Sequence, residues 1–124
     1  MGSPKALCDF DGRPALRLVL DACGACGTPV VVLGAAHEEI LKGIDLSRVT
    51  VRLHDEGEAG QTSSLKVGLG ALSPAAEAFL LFPVDFPVVL REDVETIETA
   101  YRKNKDPQKT VFIPSYSLQR GHPV

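Results

Sequence analysis

The stretch "PVVVLG" at residues 29–34 places four consecutive apolar residues between a proline and a glycine. A strand with one solvated face alternates apolar and polar residues, whereas a strand covered by helices on both faces of a parallel sheet is apolar throughout. The run "AFLLFPVD" at residues 78–85 has the same character and ends in Asp85. These two stretches predict buried strands of a parallel sheet.

Helix-like and strand-like segments take turns along the whole chain. This alternation predicts right-handed βαβ crossovers around a parallel sheet, and therefore a single α/β domain over residues 1–124. The segment from Arg91 has acidic residues in its first turn and basic residues in its last turn, as a helix prefers. The other predicted strands are residues 49–55 and 110–116, and the predicted helices are residues 14–27, 37–44, 62–72 and 91–104.

The composition excludes several classes of protein. Charged residues make up 23% and hydrophobic residues 44% of the 124 residues, a balance typical of a folded globular domain. The formal net charge of −3 leaves no basic surface for a phosphate backbone, so long nucleic acid is excluded as a partner and a mononucleotide is not. No apolar stretch approaches the roughly 20 residues that span a bilayer, which predicts no membrane association and a cytoplasmic location.

Asp85 is the first candidate functional residue. It follows a predicted strand, and ligands of open α/β sheets bind beyond the carboxyl ends of the strands. Pro83 and Pro87 flank it, and because proline disrupts strand pairing we expect the backbone to leave the ladder there. A carboxylate in this position suits Mg²⁺, although a turn or N-cap aspartate is the alternative interpretation.

A second candidate site is the segment "HDEGEAGQTSSL", residues 54–65. It follows another predicted strand and contains Gly60 and three hydroxyl residues at the start of a predicted helix. Backbone amides and hydroxyls at a helix N-terminus can bind phosphate or sugar, and helix capping explains one hydroxyl residue but not three.

Together with "MGSPK" at residues 1–5 and "RGHPV" at residues 120–124, these motifs resemble the molybdopterin cytidylyltransferase-like (MobA-like) NTP transferase family. "MGSPK" matches the end of the family's glycine-rich phosphate loop, "HDEGEAGQTSSL" its central motif, and "VDFP" its metal-binding motif. The resemblance implies a three-layer, Rossmann-like, mostly parallel sheet of the nucleotide-diphospho-sugar transferase type. The family's first strand and glycine loop are expected before Met1, and its second acidic segment is expected after Val124.

The resemblance also implies the function and the residues that perform it. The reaction would be Mg²⁺-dependent transfer of a nucleoside monophosphate, CMP rather than GMP, from the triphosphate to a phosphorylated acceptor such as molybdopterin. Lys5 would bind the triphosphate and Asp85 the Mg²⁺, with both acting in catalysis. Gly60 and Ser64 would line the base and ribose pocket, and His122 would face the acceptor.

Two other functions are compatible with the sequence. One is a shortened, non-catalytic nucleotide-binding domain. The other is a thiol redox protein that uses Cys23 and Cys26, which form a C-x-x-C pair. Arg17, Asp21 and Gly24 recur at helical spacing on one face, which places both cysteines off that polar face and predicts buried, unreactive thiols. His37 and His54 are predicted to be surface or capping groups.

Overall fold

The structure, a computed structural model, describes residues 2–54, 60–116 and 119–120. A short 3-10 turn at Lys5–Leu7 precedes the first strand. The strands are β1 (Asp9–Phe10), β2 (Arg13–Pro14), β3 (Val30–Leu33), β4 (Thr50–Leu53), β5 (Ser115–Tyr116) and β6 (Gln119–Arg120), and the helices are α1 (Ala15–Ala22), α2 (His37–Gly43), α3 (Gly60–Gly70) and α4 (Arg91–Lys103).

The parallel sheet predicted from "PVVVLG" is present. β3 and β4 pair in parallel, from Val30 opposite Thr50 to Leu33 opposite Leu53. Because α2 connects the two strands, they form a βαβ unit. This unit confirms the α/β fold class that the sequence predicts.

Helices cover both faces of β3. Neighbouring strand residues point to opposite faces of a sheet. Leu33 is 4% exposed and packs in a core with Leu16 of α1 and Ile40 of α2. On the other face, a methyl group added to Gly68 of α3 would stand 3.3 Å from Cγ2 of Val32. The sheet therefore lies between two helical layers, as predicted.

A β-hairpin that we did not predict precedes α1. β1 and β2 pair antiparallel through a two-residue turn made by Asp11 and Gly12. Both turn residues have positive φ, 53° and 83°, the conformation of the tight hairpin turn that Asp-Gly favours. The dipeptide "DG" was the available signal, but the flanking strands of two residues each were too short to show a periodic pattern.

Helix α4 agrees closely with its prediction. The Asp93 carboxylate accepts a hydrogen bond from the backbone N–H of Leu90 at 2.9 Å, which satisfies a donor at the start of the helix. Val94 is 1% exposed and anchors the helix to the domain. Arg102 near the other end donates to Glu98 at 2.7 Å.

The prediction of a buried strand at residues 78–85 is wrong. These residues form no strand, and Phe79 and Leu81 are 50% and 45% exposed. A strand requires a hydrogen-bonded neighbour, and an open groove separates this segment from β3. The predicted strand at residues 110–116 is likewise reduced to β5, with Phe112 packed edge-on against Tyr101 of α4 at a ring-centroid distance of 5.9 Å.

No helix in the described part of the chain combines the length and the hydropathy needed to cross a bilayer.

Candidate functional site

A groove of about 1170 Å³ lies between β3 and residues 78–84. Helix α1 contributes Leu16 and Val19 to its wall, and α3 contributes Thr62 and Ser64. Lys5 also lines it. The groove therefore contains two of the residues predicted to bind nucleotide, Lys5 and Ser64.

Lys5 and Asp85, which are 80 positions apart in the sequence, form an ion pair at this groove. The Lys5 Nζ donates to Oδ2 of Asp85 at 3.0 Å. Their side chains are 71% and 45% exposed, so each retains free surface that a ligand can approach. The structure thus brings together the lysine predicted to bind phosphate and the carboxylate predicted to bind metal.

Asp85 lies in a turn that the flanking prolines shape. The backbone N–H of Phe86 donates to the carbonyl of Pro83 at 3.3 Å, which closes a four-residue turn with Asp85 at its third position. Pro87 is buried behind this turn. The backbone around the acid is unpaired, as predicted, but no strand directly precedes it, and the turn leaves the carboxylate partly exposed to solvent.

Helix α3 begins at Gly60 and presents polar residues to the groove. Gly60 has a φ of 70°, a conformation that side chains disfavour, and an added methyl group there would meet none of the described residues within 4 Å. Gln61, Thr62 and Ser64 line the groove, whereas Gly60 lies outside its wall. Residues 55–59 of the predicted motif lie outside the described residues.

A contact between His54 and Ser63 was not predicted from the sequence. The Oγ of Ser63 and Nε2 of His54 share a short hydrogen bond in a half-buried position. It joins the residue that follows β4 to the first turn of α3, and so fixes the helix start that carries Thr62 and Ser64. The hydroxyl run predicted a polar cradle and His54 was predicted to be a surface or capping group, but no pattern in the sequence pairs it with a serine nine positions later.

The prediction that both cysteines of "CGAC" are buried is wrong. Cys26 is exposed and Cys23 is half-buried. Helix α1 ends at Ala22, so the helical periodicity that placed the cysteines on its apolar face does not extend to them. Burial and the nearby Cys26 raise the pKa of the Cys23 thiol to about 11. Burial and Glu98 raise the pKa of Cys26 as well.

A comparison with models of known protein families assigns the chain to one of them. A model of the MobA-like NTP transferase domain matches residues 1–124. The chain belongs to this family. No curated protein matched it.

Two solved structures resemble this MobA-like NTP transferase domain. Rv0371c from Mycobacterium tuberculosis H37Rv is 25% identical with a TM-score of 0.73, over 82% of this chain and 53% of that protein. Rv0371c in complex with manganese is 24% identical with a TM-score of 0.69, over 79% of this chain and 52% of that protein. The chain therefore spans about half the length of these solved relatives.

The site beside the groove of the MobA-like domain offers a hard divalent cation one carboxylate ligand, Asp85. Asp85 offers a partly exposed carboxylate, the kind of ligand that Mg²⁺ prefers. Within the described ranges, no three His, Cys, Asp or Glu side chains cluster as metal ligands would. Mg²⁺ commonly takes one or two protein carboxylates and fills its other positions with water and phosphate oxygens. Asp85 therefore fits as one ligand of a site that a nucleotide completes. His122 lies outside the described residues.

Proposed function

We propose that this chain carries part of the active site of an Mg²⁺-dependent nucleotidyltransferase. The reaction is transfer of a nucleoside monophosphate from a nucleoside triphosphate to a phosphorylated acceptor. The observation that supports it most is the contact of 3.0 Å between Lys5 Nζ and Asp85 Oδ2 beside a groove lined by Ser64. Membership of the MobA-like NTP transferase family favours this reaction over other uses of such a pair.

In a complex with a metal and a triphosphate, Lys5 would contact the negative phosphates and Asp85 would contact the cation. In the free protein each neutralises the other. When a nucleotide binds, the Lys5 ammonium moves from the carboxylate to the negative phosphate oxygens, and the Asp85 carboxylate becomes free for a cation. Asp85 would hold Mg²⁺ at this point, and the cation would supply positive charge that stabilises the negative charge developing during phosphoryl transfer. Lys5 thus reduces the repulsion that the attacking phosphate of the acceptor meets at the α-phosphorus, and pyrophosphate leaves.

The start of α3 would hold the nucleoside. Gly60, which lies outside the groove wall, would let a base approach the backbone closely because it has no side chain, and Ser64 offers a hydroxyl to the ribose or base inside the groove. His122 would contact the acceptor. We assign CTP rather than GTP as the donor and molybdopterin as the acceptor on the basis of the family resemblance.

The metal is proposed as Mg²⁺ from the preference of a carboxylate and phosphate oxygens for hard cations. The existence of a manganese complex of Rv0371c supports the use of a divalent cation in this fold. Mn²⁺ and Mg²⁺ share oxygen ligands, so the carboxylate of Asp85 suits both.

A non-catalytic nucleotide-binding domain is the second candidate function. It is favoured by the observation that the described part of the chain has no cluster of three His, Cys, Asp or Glu side chains that could hold a metal ion. Under this function nucleotides bind in the groove and no pyrophosphate is released.

The experiment that tests the proposal compares nucleotides that differ in phosphate number. Lys5→Ala should weaken binding of CTP far more than binding of CMP, since the ammonium acts as a point charge on the phosphates. Lys42→Ala on the exposed last turn of α2 is the matched control and should leave both affinities unchanged. Equal loss for CTP and CMP in Lys5→Ala would remove the lysine from the phosphate site.

Pyrophosphate release then separates the two candidate functions. The protein is incubated with CTP, MgCl₂ and molybdopterin, and pyrophosphate is measured. Release that is lost in Asp85→Asn supports the transferase. CTP binding without release supports the non-catalytic domain.

A further inference from the structure

The turn that follows α1 brings Cys23 and Cys26 together. The backbone N–H of Cys26 donates to the carbonyl of Cys23 at 2.9 Å. This hydrogen bond closes a four-residue turn, whose first and last Cα atoms lie within about 7 Å of each other. A disulfide joins residues whose Cα atoms are roughly 4.4–6.8 Å apart, so the turn holds the two cysteines at a separation that a disulfide can bridge.

A reagent in solvent can reach the pair. Cys26 is exposed, Cys23 is half-buried, and both line the groove between β3 and residues 78–84. Cys8, the remaining cysteine, is also exposed, but its carbonyl accepts from the N–H of Ala15 at the opposite end of α1. A helix of eight residues is about 12 Å long, which separates Cys8 from the pair by more than a disulfide spans.

We propose that Cys23 and Cys26 form a dithiol site that reacts with small-molecule disulfides of the glutathione type and closes to an intramolecular disulfide. In the first step the Cys26 thiolate attacks one sulfur of oxidised glutathione, forms a mixed disulfide and releases one glutathione thiolate. In the second step the Cys23 sulfur attacks the sulfur of Cys26, its proton goes to solvent, and the second glutathione leaves. Two protein thiols are oxidised and one glutathione disulfide is reduced to two thiols.

The surroundings determine which cysteine attacks first. Cys26 is the more exposed of the two, and its Sγ lies 4.0 Å from Oε2 of Glu98. The pKa of Cys23 is raised to about 11, so at neutral pH its thiol stays protonated until a mixed disulfide forms beside it. The pKa of Cys26 is also raised, so the first step should be slow at neutral pH and accelerate as the pH rises. The charged side chains around the pair are Asp21 and Arg91 beside the turn, and Glu95, Glu98 and Arg102 on α4.

Closure of this disulfide would change the wall of the groove. The turn connects α1 to the segment that leads into β3, and the two thiols form part of the groove lining at that point. Formation of the bond draws Cys26 Sγ towards Cys23 and away from Glu98. The site would therefore couple the redox state of the thiol pool to the shape of the groove.

The test uses the Cys8→Ser protein, which retains the pair alone. After incubation with oxidised glutathione at pH 8, intact-mass spectrometry should show a loss of two hydrogens and no bound glutathione, and peptide mapping should join Cys23 to Cys26. Adding Cys23→Ser should stop the reaction at one glutathione on Cys26. Adding Cys26→Ser instead should slow glutathione uptake by at least tenfold, because the less exposed thiol must attack.

The result can overturn the proposal at each stage. A stable adduct with two glutathiones would show that the turn does not hold the thiols in bonding range. The same conclusion would follow if the pair stayed reduced under conditions that oxidise an exposed cysteine in a free peptide. Equal uptake rates in the two single-cysteine proteins would remove the assigned order of attack. Circular dichroism confirms that each variant is folded, and Cys23→Ala replaces Cys23→Ser if the serine destabilises the half-buried position. The mapping of the Cys8→Ser protein decides the main question without either variant.

Discussion

Replacing Asp85 with asparagine should have opposite effects on nucleotide binding with and without Mg²⁺. In the free protein the Asp85 carboxylate holds the Lys5 ammonium at 3.0 Å, so a triphosphate must displace this contact before it can bind the lysine. Asp85→Asn removes the competing carboxylate and one negative charge while keeping the size of the side chain. Metal-free CTP should therefore bind at least as tightly to the variant as to the original protein.

The exposure of the pair sets the size of this gain. With side chains 71% and 45% exposed, the pair is in the class of surface ion pairs that contribute about 0.2–1 kcal/mol. This range corresponds to an affinity gain of about 1.4- to 5-fold for CTP in EDTA. The tightening that Mg²⁺ gives to CTP binding should disappear in the same variant, because the carboxylate that would hold the cation is gone.

Isothermal titration calorimetry with CTP, in EDTA and in MgCl₂, measures both effects. Glu38→Gln in the first turn of α2 removes one exposed negative charge elsewhere and is the matched control. It should change neither the metal-free affinity nor the Mg²⁺ effect. An Asp85→Asn protein that still gains affinity from Mg²⁺ would refute the assignment of Asp85 to the metal. One that binds metal-free CTP several-fold more weakly would refute the competition between Asp85 and the phosphates for Lys5.

Three further predictions concern the nucleoside pocket, the core and the thiols. Gly60→Val should abolish CTP binding, whereas Gly12→Val, which also has a positive φ and lies in the hairpin turn, should cost similar stability and leave CTP binding intact. Equal CTP affinities in the two variants would show that Gly60 is only a turn residue. Val94→Ala should lower the free energy of unfolding, measured in urea, by about 1.5–3 kcal/mol, since the side chain is 1% exposed. Val88→Ala, at a side chain 79% exposed, should change that free energy by less than about 0.5 kcal/mol, and an equally small loss for Val94→Ala would show that α4 is not anchored there. The pKa of Cys23 is higher in the folded protein than in the unfolded chain, so between about pH 9 and pH 11 the folded protein keeps a proton that the unfolded chain releases. The free energy of unfolding should therefore fall as the pH rises through this range, and a Cys23→Ala protein with the same pH dependence would contradict this prediction.

The sequence predicts the parts of the fold that depend on local pattern. The apolar run before Gly34, the helix that begins at Arg91 and the loss of regular pairing around Asp85 are all found in the structure. Each rests on residues close in sequence, such as the acidic and basic ends of α4 or the two prolines beside Asp85. The family resemblance implied that Lys5 and Asp85 act on the same metal–triphosphate complex, but their direct contact was not predicted, since no local pattern links residues 80 positions apart.

The errors have two causes, a partner that is distant in the sequence and a local pattern that is extended too far. The run at residues 78–85 has strand composition, but strand formation depends on a hydrogen-bonded neighbour, and composition does not show whether one is adjacent. For Cys23 and Cys26 the error was to extend helical periodicity beyond Ala22, into a turn where it no longer applies. The link between His54 and Ser63 was missed because the histidine follows a strand and the serine belongs to the next helix.

The separation of Lys5 from Asp85 along the chain has a consequence for folding order. The β3–α2–β4 unit brings together residues about 20 positions apart, from Val30 and Thr50 at one end to Leu33 and Leu53 at the other. Joining Lys5 to Asp85 closes a loop of 80 residues, and the entropy lost on closing a loop rises with its length. Contacts between distant residues form late in folding for this reason. The βαβ unit should therefore acquire amide protection from hydrogen exchange before the candidate site exists, and a nascent chain should become able to bind nucleotide only after its folding nucleus is complete.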